Sequence, residues 1–287
     1  MPKKTTKKIF GVLGYPVKHS LSPAMHNAAF RQLKIKASYK KFEVRPEELG
    51  RFLKTIEAKN ICGLNVTAPH KEKILSYLTG YKTSAADEIG AVNTIVVSKD
   101  NRLKGYNTDY LGFSKHLSGL GLRPKRIAII GAGGAAKAVC FSLAKKGASQ
   151  IAIYDIDRYK SISLMQRLQE SFPGCGLIAV DSIEGLELSD KDLLVNASPV
   201  GMKPEDRCLI TAAMLPSSIF VYDLIYNPAE TKLLSLARQK GLRYSNGLGM
   251  LLYQGAESFN LWMKPKKAPL AVMSAALKQA LRKKFKV

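Results

Sequence analysis

The sequence predicts an α/β protein with an N-terminal α/β domain, a second domain built on a doubly wound parallel sheet, and C-terminal helices. Three observations support this fold class. Short apolar segments alternate with helical segments along the chain. In one segment, Arg126–Ile130, every residue after the first is apolar, which is typical of a parallel strand buried on both faces. The 287 residues are enough for two medium-sized domains.

The first half of the chain alternates strands with helices. Strands are predicted at 8–13, 39–44 and 61–66, and helices at 22–33, after Pro46 and after His70. Ser22 and Pro23 mark the first helix, because serine favours the N-cap and proline the first helical turn. Residues 92–106 predict a hairpin with its turn at 99–101, and the helix that follows ends near 119–121.

The second half has the pattern of a doubly wound sheet. After 126–130, a helix is predicted at 134–146, a strand at 150–154, a helix at 159–171, and strands near Leu177, Leu193 and Val221. Two helices follow from about Met250, and the apolar stripe of the second is Leu270, Met273, Leu277 and Leu281. The predicted domains are 1–119, 120–247 and 248–287, with the last part packing on the first domain or bridging the two.

The composition is that of a globular protein with an unusual charge. Hydrophobic residues make up 46% of the chain, and the formal net charge is +23. Such a charge suggests binding to nucleic acid or a membrane surface. The lysines are spread out and not interleaved with aromatic residues, so we favour a lysine-rich proteome and attraction of an anionic substrate and cofactor.

The composition also excludes several classes of protein. No segment approaches the roughly 18 consecutive apolar residues of a membrane span. The four cysteines are scattered, which argues against zinc and disulfide sites and favours a reducing compartment. We therefore expect a cytoplasmic protein that binds no metal.

A glycine-rich turn lies between a predicted strand and a predicted helix. Residues 131–136 are Gly-Ala-Gly-Gly-Ala-Ala, which fits the G-x-G-x-x-A pattern of dinucleotide-binding sites. The first glycine allows a tight turn, the second lets the backbone approach a pyrophosphate, and the helix N-terminus attracts its charge. Glycines also mark plain turns, but the strand–turn–helix context favours a Rossmann dinucleotide-binding domain.

An acidic residue, Asp155, follows the next strand of that domain. A carboxylate at this position accepts hydrogen bonds from the adenosine ribose and repels a 2′-phosphate. We therefore expect NAD to be favoured over NADP. Two alternatives stay open: Asp155 or Asp157 only caps the next helix, and Arg158 still receives a phosphate.

Polar side chains also cluster in the first half of the chain. Asn65, Thr67 and Lys71 follow an apolar strand, and polar groups at a strand end usually face a ligand. The helix dipole disfavours a lysine at a helix start, which suggests a functional reason for Lys71. Asp109 offers this lysine a carboxylate partner. The pattern predicts an oxidoreductase whose lysine moves a proton while a nicotinamide moves a hydride.

Two hydroxyls, those of Ser20 and Ser22, lie at the predicted start of the first helix. Hydroxyls at a helix N-terminus form a natural site for a carboxylate, although Ser22 could also be only the N-cap. The chain has four histidines and no acidic cluster, which argues against a metal site near His19 and His26.

A series of motifs follows in a specific order. The motifs are Gly14-x-Pro16-x-x-His19-Ser20-x-Ser22-Pro23-x-x-His26-Asn27, Asn65-Val66-Thr67-x-Pro69-x-Lys71, Ala91-Val92-Asn93-Thr94, Asn107-Thr108-Asp109, the glycine turn, Asn196-Ala197-Ser198-Pro199-Val200-Gly201-Met202, Asp223-x-x-Tyr226-Asn227-Pro228 and Asn246-Gly247-Leu248-Gly249-Met250-Leu251-x-x-Gln254. Together they cover nearly the whole chain and resemble the shikimate dehydrogenase family.

The resemblance implies a substrate domain, a nucleotide domain, and C-terminal helices that return to the first domain. It also implies the reversible NAD(P)-dependent interconversion of 3-dehydroshikimate and shikimate. Lys71 and Asp109 would form the catalytic pair, and Ser20 and Ser22 would hold the substrate carboxylate. The residues implied to bind the rest of the substrate are Asn65, Thr67, Asn93, Asp109, Tyr226 and Gln254. Those implied to line the dinucleotide are Gly131, Ala132, Gly133, Gly134, Ala135, Ser198, Leu224 and Gly247, next to Asp155.

One departure from the family pattern concerns the cofactor. NADP-dependent members typically carry Asn-Arg-Thr where this chain has Tyr154-Asp155-Ile156. At these positions the chain resembles the NAD-using quinate/shikimate branch. Ser22 favours shikimate, because quinate-using members of this branch often have threonine there. A quinate or dual-substrate enzyme stays an alternative, as does a basic nucleic-acid-binding protein with a vestigial nucleotide fold. We expect a monomer or a homodimer.

Overall fold

Residues 7–284 are described by a computed structural model, except for the side chain of residue 284. The strands are β1 (Lys8–Gly14), β2 (Ala37–Glu43), β3 (Ile61–Val66), β4 (Thr94–Val97), β5 (Leu103–Tyr106), β6 (Arg126–Ile130), β7 (Gln150–Tyr154), β8 (Gly176–Val180), β9 (Leu193–Asn196), β10 (Phe220–Asp223) and β11 (Tyr244–Asn246). The helices are α1 (Ser22–Gln32), α2 (Leu49–Leu53), α3 (His70–Lys73), α4 (Ser84–Ile89), α5 (Asp109–Gly119), α6 (Gly134–Lys145), α7 (Arg158–Ser171), α8 (Lys232–Gln239), α9 (Leu248–Met263) and α10 (Leu270–Lys284).

The chain divides into two units. Unit 1 comprises Met1–Thr108 and Leu252–Val287, and unit 2 comprises Asp109–Leu251. The limits predicted from sequence, at 119/120 and 247/248, differ from these by α5 and by the first turn of α9. The predicted division into three parts stays a prediction.

Unit 1 is built on a mixed sheet with the strand order β2-β1-β3-β4-β5. Strands β1, β2 and β3 are parallel, and β4 and β5 form the predicted antiparallel hairpin. Because β1 and β3 are parallel neighbours, the loops that follow them leave the sheet at the same edge. Helix α9 packs on this sheet through Trp262, whose indole N–H donates to the Ile95 carbonyl at 2.9 Å.

Unit 2 is a parallel sheet with the strand order β11-β10-β9-β6-β7-β8. The chain runs outward from β6 to β8 on one side and returns to β9 on the other, so the order reverses between β6 and β9. The predicted α/β class and doubly wound sheet are therefore confirmed. Ligands of such sheets bind outside the carboxyl ends of the strands at this reversal.

Some local predictions were incomplete or wrong. Helices α4 and α8 and the three-residue strand β11 were not predicted, because short elements carry little periodic signal. Ser22 is not the N-cap of α1, since Leu21 takes that position without a side-chain hydrogen bond. In the predicted stripe of α10, Met273 and Leu277 are buried, whereas Leu270 is 42% exposed. None of the helices within 7–284 is long and apolar enough to cross a membrane.

Candidate functional site

The loops after β1 and β3 meet at one edge of the unit 1 sheet. The Tyr15 N–H donates to the Ala68 carbonyl at 3.0 Å, and the Thr67 N–H donates to the Leu13 carbonyl at 2.9 Å. A Cβ at Gly14 would lie only 2.3 Å from Cγ2 of Thr67, so the two loops are in close contact. This contact brings the loop that leads to Ser20 beside the segment that leads to Lys71.

The two serines form one local structure at the start of α1. The Ser20 Oγ accepts a hydrogen bond from the Ser22 N–H at 3.3 Å. Ser22 is buried and is the first residue of the helix. Ser20 thus satisfies one of the free N–H groups of α1, and the partial positive charge of this helix end favours an anion.

Lys71 is half-buried in the short helix α3, and its neighbours fix its backbone. His70 is buried, and its Nε2–H donates to the Val44 carbonyl at 2.7 Å, because a carbonyl can only accept. Burial lowers the pKa of His70, which keeps this imidazole neutral. The Lys71 carbonyl accepts a hydrogen bond from the Val92 N–H at 2.8 Å. The side-chain bond of His70 and the backbone bond of Lys71 therefore hold this segment at the edge of the sheet.

The predicted substrate amides Asn65, Asn93 and Gln254 belong to one buried polar network in unit 1. The Asn93 Nδ2 lies 3.4 Å from the Gln254 Oε1, and its Oδ1 accepts from the Thr108 N–H at 2.6 Å. The Asn65 Nδ2 donates to the Ser258 Oγ at 2.8 Å. Low solvent exposure strengthens such bonds and makes every unpaired group costly, so the amide orientations are well defined.

Asp109 and Tyr226 both belong to unit 2. Asp109 is buried and begins α5, directly after Thr108. Burial raises the pKa of Tyr226 to about 12, so its phenol stays protonated at neutral pH. The pairing of Lys71 with Asp109 and the approach of Tyr226 to the substrate stay predictions.

The glycine turn has the shape that a dinucleotide pyrophosphate requires. Gly131 has φ +103°, and a Cβ there would lie 2.9 Å from the Ser198 backbone nitrogen. Gly133 is the N-cap of α6 and is exposed, and no described atom lies within 4 Å of a Cβ built on it. The first glycine is thus required by the fold, and the second leaves open space in front of the free N–H groups of α6. The residues present fit a dinucleotide.

Two further segments follow strands at the same edge of the unit 2 sheet. The Ser198 Oγ donates to the Asn196 Oδ1 at 2.7 Å, and the Asn196 Nδ2 donates to the Asp223 Oδ1 at 3.0 Å. Asp223 is fully buried, and burial raises the pKa of its carboxyl, although hydrogen bonds from Thr231, the Ile225 N–H and Asn196 oppose this. This buried set ties the loop after β9 to the loop after β10.

The last predicted dinucleotide residues are held by close backbone packing. A Cβ at Gly247 would lie 1.9 Å from the Leu224 carbonyl oxygen, so only glycine fits there. Within residues 7–284, no group of three or more His, Cys, Asp or Glu side chains is placed to hold a metal ion.

The sequence interpretation missed several residues that support the site. Thr94, Thr108, Asn196 and Asp223 stand inside the recognised motifs but received no role. Ser258 lies outside the motifs and one helical turn after Gln254, and this i, i+4 spacing was the signal that could have identified it.

Comparison with known proteins identifies relatives over most of the chain. The model described as shikimate dehydrogenase substrate binding domain matches residues 12–95, and that of the shikimate 5′-dehydrogenase C-terminal domain matches 247–278. A shikimate dehydrogenase (NADP(+)) of Caldanaerobacter subterraneus subsp. tengcongensis is 42% identical, and the alignment covers 90% of this chain and 92% of the relative.

Solved structures of shikimate dehydrogenases are also similar to this chain. The shikimate dehydrogenase of Aquifex aeolicus is 38% identical with a TM-score of 0.87, covering 96% of this chain and 98% of that one. Shikimate 5-dehydrogenase from Thermus thermophilus, solved in complex with NADP(H) and shikimate, is 36% identical with a TM-score of 0.84, covering 96% and 100% of the two chains.

The expected preference for NAD over NADP is wrong. The curated relatives are named as NADP(+) enzymes, and related structures contain NADP. The structure explains why Asp155 misled the sequence interpretation. Its Oδ2 accepts from the Ala132 N–H at 2.7 Å, and its Oδ1 accepts from the Asp157 N–H at 2.9 Å. The carboxylate thus holds the glycine turn and the start of α7, and this structural role alone accounts for an acid at this position.

Proposed function

Because this chain belongs to the shikimate dehydrogenase family, we propose that it catalyses the reversible reduction of 3-dehydroshikimate to shikimate with NADPH. The observation that carries the proposal is the single edge of the unit 1 sheet at which the loops after β1 and β3 meet. That edge collects hydroxyls at a helix N-terminus, buried amides and a lysine, which are the groups needed to bind a polyhydroxylated carboxylate.

The substrate carboxylate would bind at the start of α1. The hydroxyls of Ser20 and Ser22 supply donors there, and the helix end adds a partial positive charge. These bonds exist before and during the reaction, so they contribute to binding rather than to turnover.

The ring hydroxyls would contact the buried amides and Thr67. Asn93 has one weak contact, that of its Nδ2 with the Gln254 Oε1 at 3.4 Å, which a substrate hydroxyl could replace. Asn65 is held more tightly, at both ends of its amide. The two amides would therefore differ in how far they adapt to the substrate.

The proton would be moved by Lys71, with Asp109 as its partner. In the reducing direction the substrate carbonyl oxygen takes a proton from the Lys71 ammonium as the carbonyl carbon takes a hydride. In the oxidising direction the amine of Lys71 removes the proton from the alcohol. Asp109 would orient the lysine and balance its charge.

A bound nicotinamide dinucleotide would supply or remove the hydride. Residues 131–135 would hold its pyrophosphate at the N-terminus of α6, and Ser198, Leu224 and Gly247 would line its other end. The 2′-phosphate of NADP would find cationic groups at the start of α7, where Arg158 and Lys160 follow β7.

The test is a matrix of two substrates and two cofactors. We expect the highest kcat/KM with shikimate and NADP+, and lower values with quinate or NAD+. Addition of RNA at physiological salt should leave the rate unchanged. A wild type that oxidises quinate faster than shikimate, or neither of them, would refute the proposal.

A matched pair of variants tests the proton-transfer step. Lys71→Ala should lose turnover by about 10²–10⁴, the usual scale for a general acid/base, and keep KM within a few-fold. Lys73→Ala, on the same short helix, is the control and should keep normal turnover. Near-normal turnover in Lys71→Ala would exclude this lysine.

A further inference from the structure

The side chain of Asn65 is held at both ends of its amide. Its Oδ1 accepts a hydrogen bond from the Tyr39 hydroxyl at 2.7 Å. Its Nδ2 faces the Ser258 Oγ at 2.8 Å, the Thr94 Oγ1 at 3.2 Å and the Asn93 carbonyl at 3.3 Å. A carbonyl oxygen can only accept, so the amide nitrogen must be on that side, and the orientation of the amide is defined.

The protein uses all but one of the hydrogen-bonding positions of the Asn65 amide. Both hydrogens of Nδ2 have protein acceptors, and one lone pair of Oδ1 is taken by Tyr39. The Ser258 Oγ donates to the Gln254 carbonyl at 3.0 Å, so it can accept from Asn65. The second lone pair of the Asn65 Oδ1 is the position that a ligand can still use. Asn65 can therefore accept a hydrogen bond from a substrate hydroxyl but has no N–H left to donate to one.

We propose that Tyr39 and Ser258 are positioning residues that fix the Asn65 amide with its oxygen available to a hydroxyl donor of the substrate. The inference rests on the proposed function and extends it. Neither residue would contact the substrate, and each would act through Asn65. Without them the amide could rotate and present its N–H groups, so that a substrate hydroxyl would have to accept where it otherwise donates.

The surroundings of Tyr39 support this role. The ring of His26 stacks on the Tyr39 ring at 4.3 Å with an angle of 5°. Asn27 pairs with the Tyr39 backbone, donating to its carbonyl at 3.0 Å and accepting from its N–H at 2.8 Å. The His26-Asn27 motif, which has no role in substrate binding or proton transfer above, thus holds the tyrosine that holds Asn65.

Burial makes the arrangement rigid. Tyr39 is 3% exposed, Asn65 6% and Ser258 0%. A buried amide that loses a partner carries the full desolvation cost of an unpaired polar group. Part of that cost would appear as weaker substrate binding, because the amide would turn to find other partners.

The experiment compares Tyr39→Phe and Ser258→Ala with wild type in shikimate oxidation. Both changes remove little more than a hydroxyl. We expect KM for shikimate to rise about 3- to 20-fold, with kcat and KM for NADP+ within about twofold of wild type. Ser142→Ala removes another buried hydroxyl, one without a hydrogen-bond partner, and is the control expected to leave all constants unchanged.

A double-mutant cycle separates positioning from general structural damage. In an Asn65→Ala background, Tyr39→Phe should cause no further rise in KM, because the residue through which it acts is gone. A rise of the same size in both backgrounds would overturn the inference. So would unchanged KM values in Tyr39→Phe and Ser258→Ala when the wild type is active. An inactive wild type would instead refute the proposed function, and the inference with it.

Discussion

The glycine turn of unit 2 allows structural and ligand-binding roles to be separated at neighbouring positions. Gly131 needs the absence of a side chain for the fold itself, since its φ is +103° and a Cβ would lie 2.9 Å from the Ser198 nitrogen and 3.0 Å from the Ala197 carbonyl. Gly133 meets no described atom within 4 Å. Alanine should therefore have different effects at the two positions.

The magnitudes follow from these contacts. At Gly131, an L-residue with positive φ costs about 1–2 kcal/mol, and the contact with backbone atoms that cannot rotate away adds a similar amount. We expect Gly131→Ala to lower the free energy of unfolding by about 2–4 kcal/mol and to shift the loop at Ser198. Gly133 is the N-cap of α6. Alanine caps a helix less well than glycine but restricts the unfolded chain more, so these effects oppose each other and we expect a change within about 1 kcal/mol.

The cofactor assay should respond to Gly133, whose substitution has little effect on stability. Gly133→Ala places a methyl group where a pyrophosphate would approach the N-terminus of α6, so KM for NADP+ should rise about tenfold or more. Stability is measured by urea denaturation followed by circular dichroism, and KM by initial rates at saturating shikimate. Gly174→Ala is the control, because its Cβ also meets no described atom, and it should change neither quantity.

Two results would refute this reasoning. A Gly133→Ala variant with a normal KM for NADP+ would mean that the turn does not receive the dinucleotide. A Gly131→Ala variant as stable as wild type would mean that the turn relaxes freely, in contradiction to the contacts of its Cβ position.

Three further predictions concern other parts of the site. The double variant Ser20→Ala and Ser22→Ala should mainly raise KM for shikimate, and a loss of kcat at unchanged KM would contradict the carboxylate site. Arg158 forms an exposed ion pair with Asp181 at 2.6 Å. Such a pair contributes little stability, so Arg158 can exchange it for the 2′-phosphate of NADP+ at little cost. Arg158→Ala should then lower kcat/KM for NADP+ about tenfold relative to NAD+, and an unchanged ratio would exclude a role in binding the 2′-phosphate. Burial lowers the pKa of His26 to about 3 from its ordinary 6.5. As the pH falls below 6.5, the unfolded chain therefore binds a proton that the folded chain does not. The contribution of His26 to the free energy of unfolding is complete above pH 6.5 and falls by up to about 1.4 kcal/mol per pH unit below it. His26→Phe should lose less stability than wild type between about pH 7 and pH 5 in urea denaturation, and an equal loss would contradict a neutral buried imidazole.

The cofactor preference illustrates where a local pattern is insufficient. An acid after the second strand of a nucleotide-binding sheet usually indicates NAD, and Asp155 has that position. The pattern could not indicate that both carboxylate oxygens accept backbone N–H groups, from Ala132 and Asp157. Hydrogen bonds between segments that are distant in sequence depend on the packing of the turn, which residue type alone does not specify.

The sequence by itself determined the α/β class, the hairpin at 92–106 and the glycine turn, because these depend on periodicity and on residue types within a few positions. Short elements such as β11 could not be predicted, since three residues carry no period and their stability comes from the neighbouring strand β10.

Only the tertiary structure decided how the site residues are held. Asn65 is oriented by Tyr39, 26 residues away, and by Ser258, 193 residues away. Each pairing requires that separate strands and a helix first pack together, and a buried amide then has a single orientation that satisfies all its neighbours. The sequence predicted that Asn65 faces a ligand, and only the fold fixes the orientation of its amide between Tyr39 and Ser258.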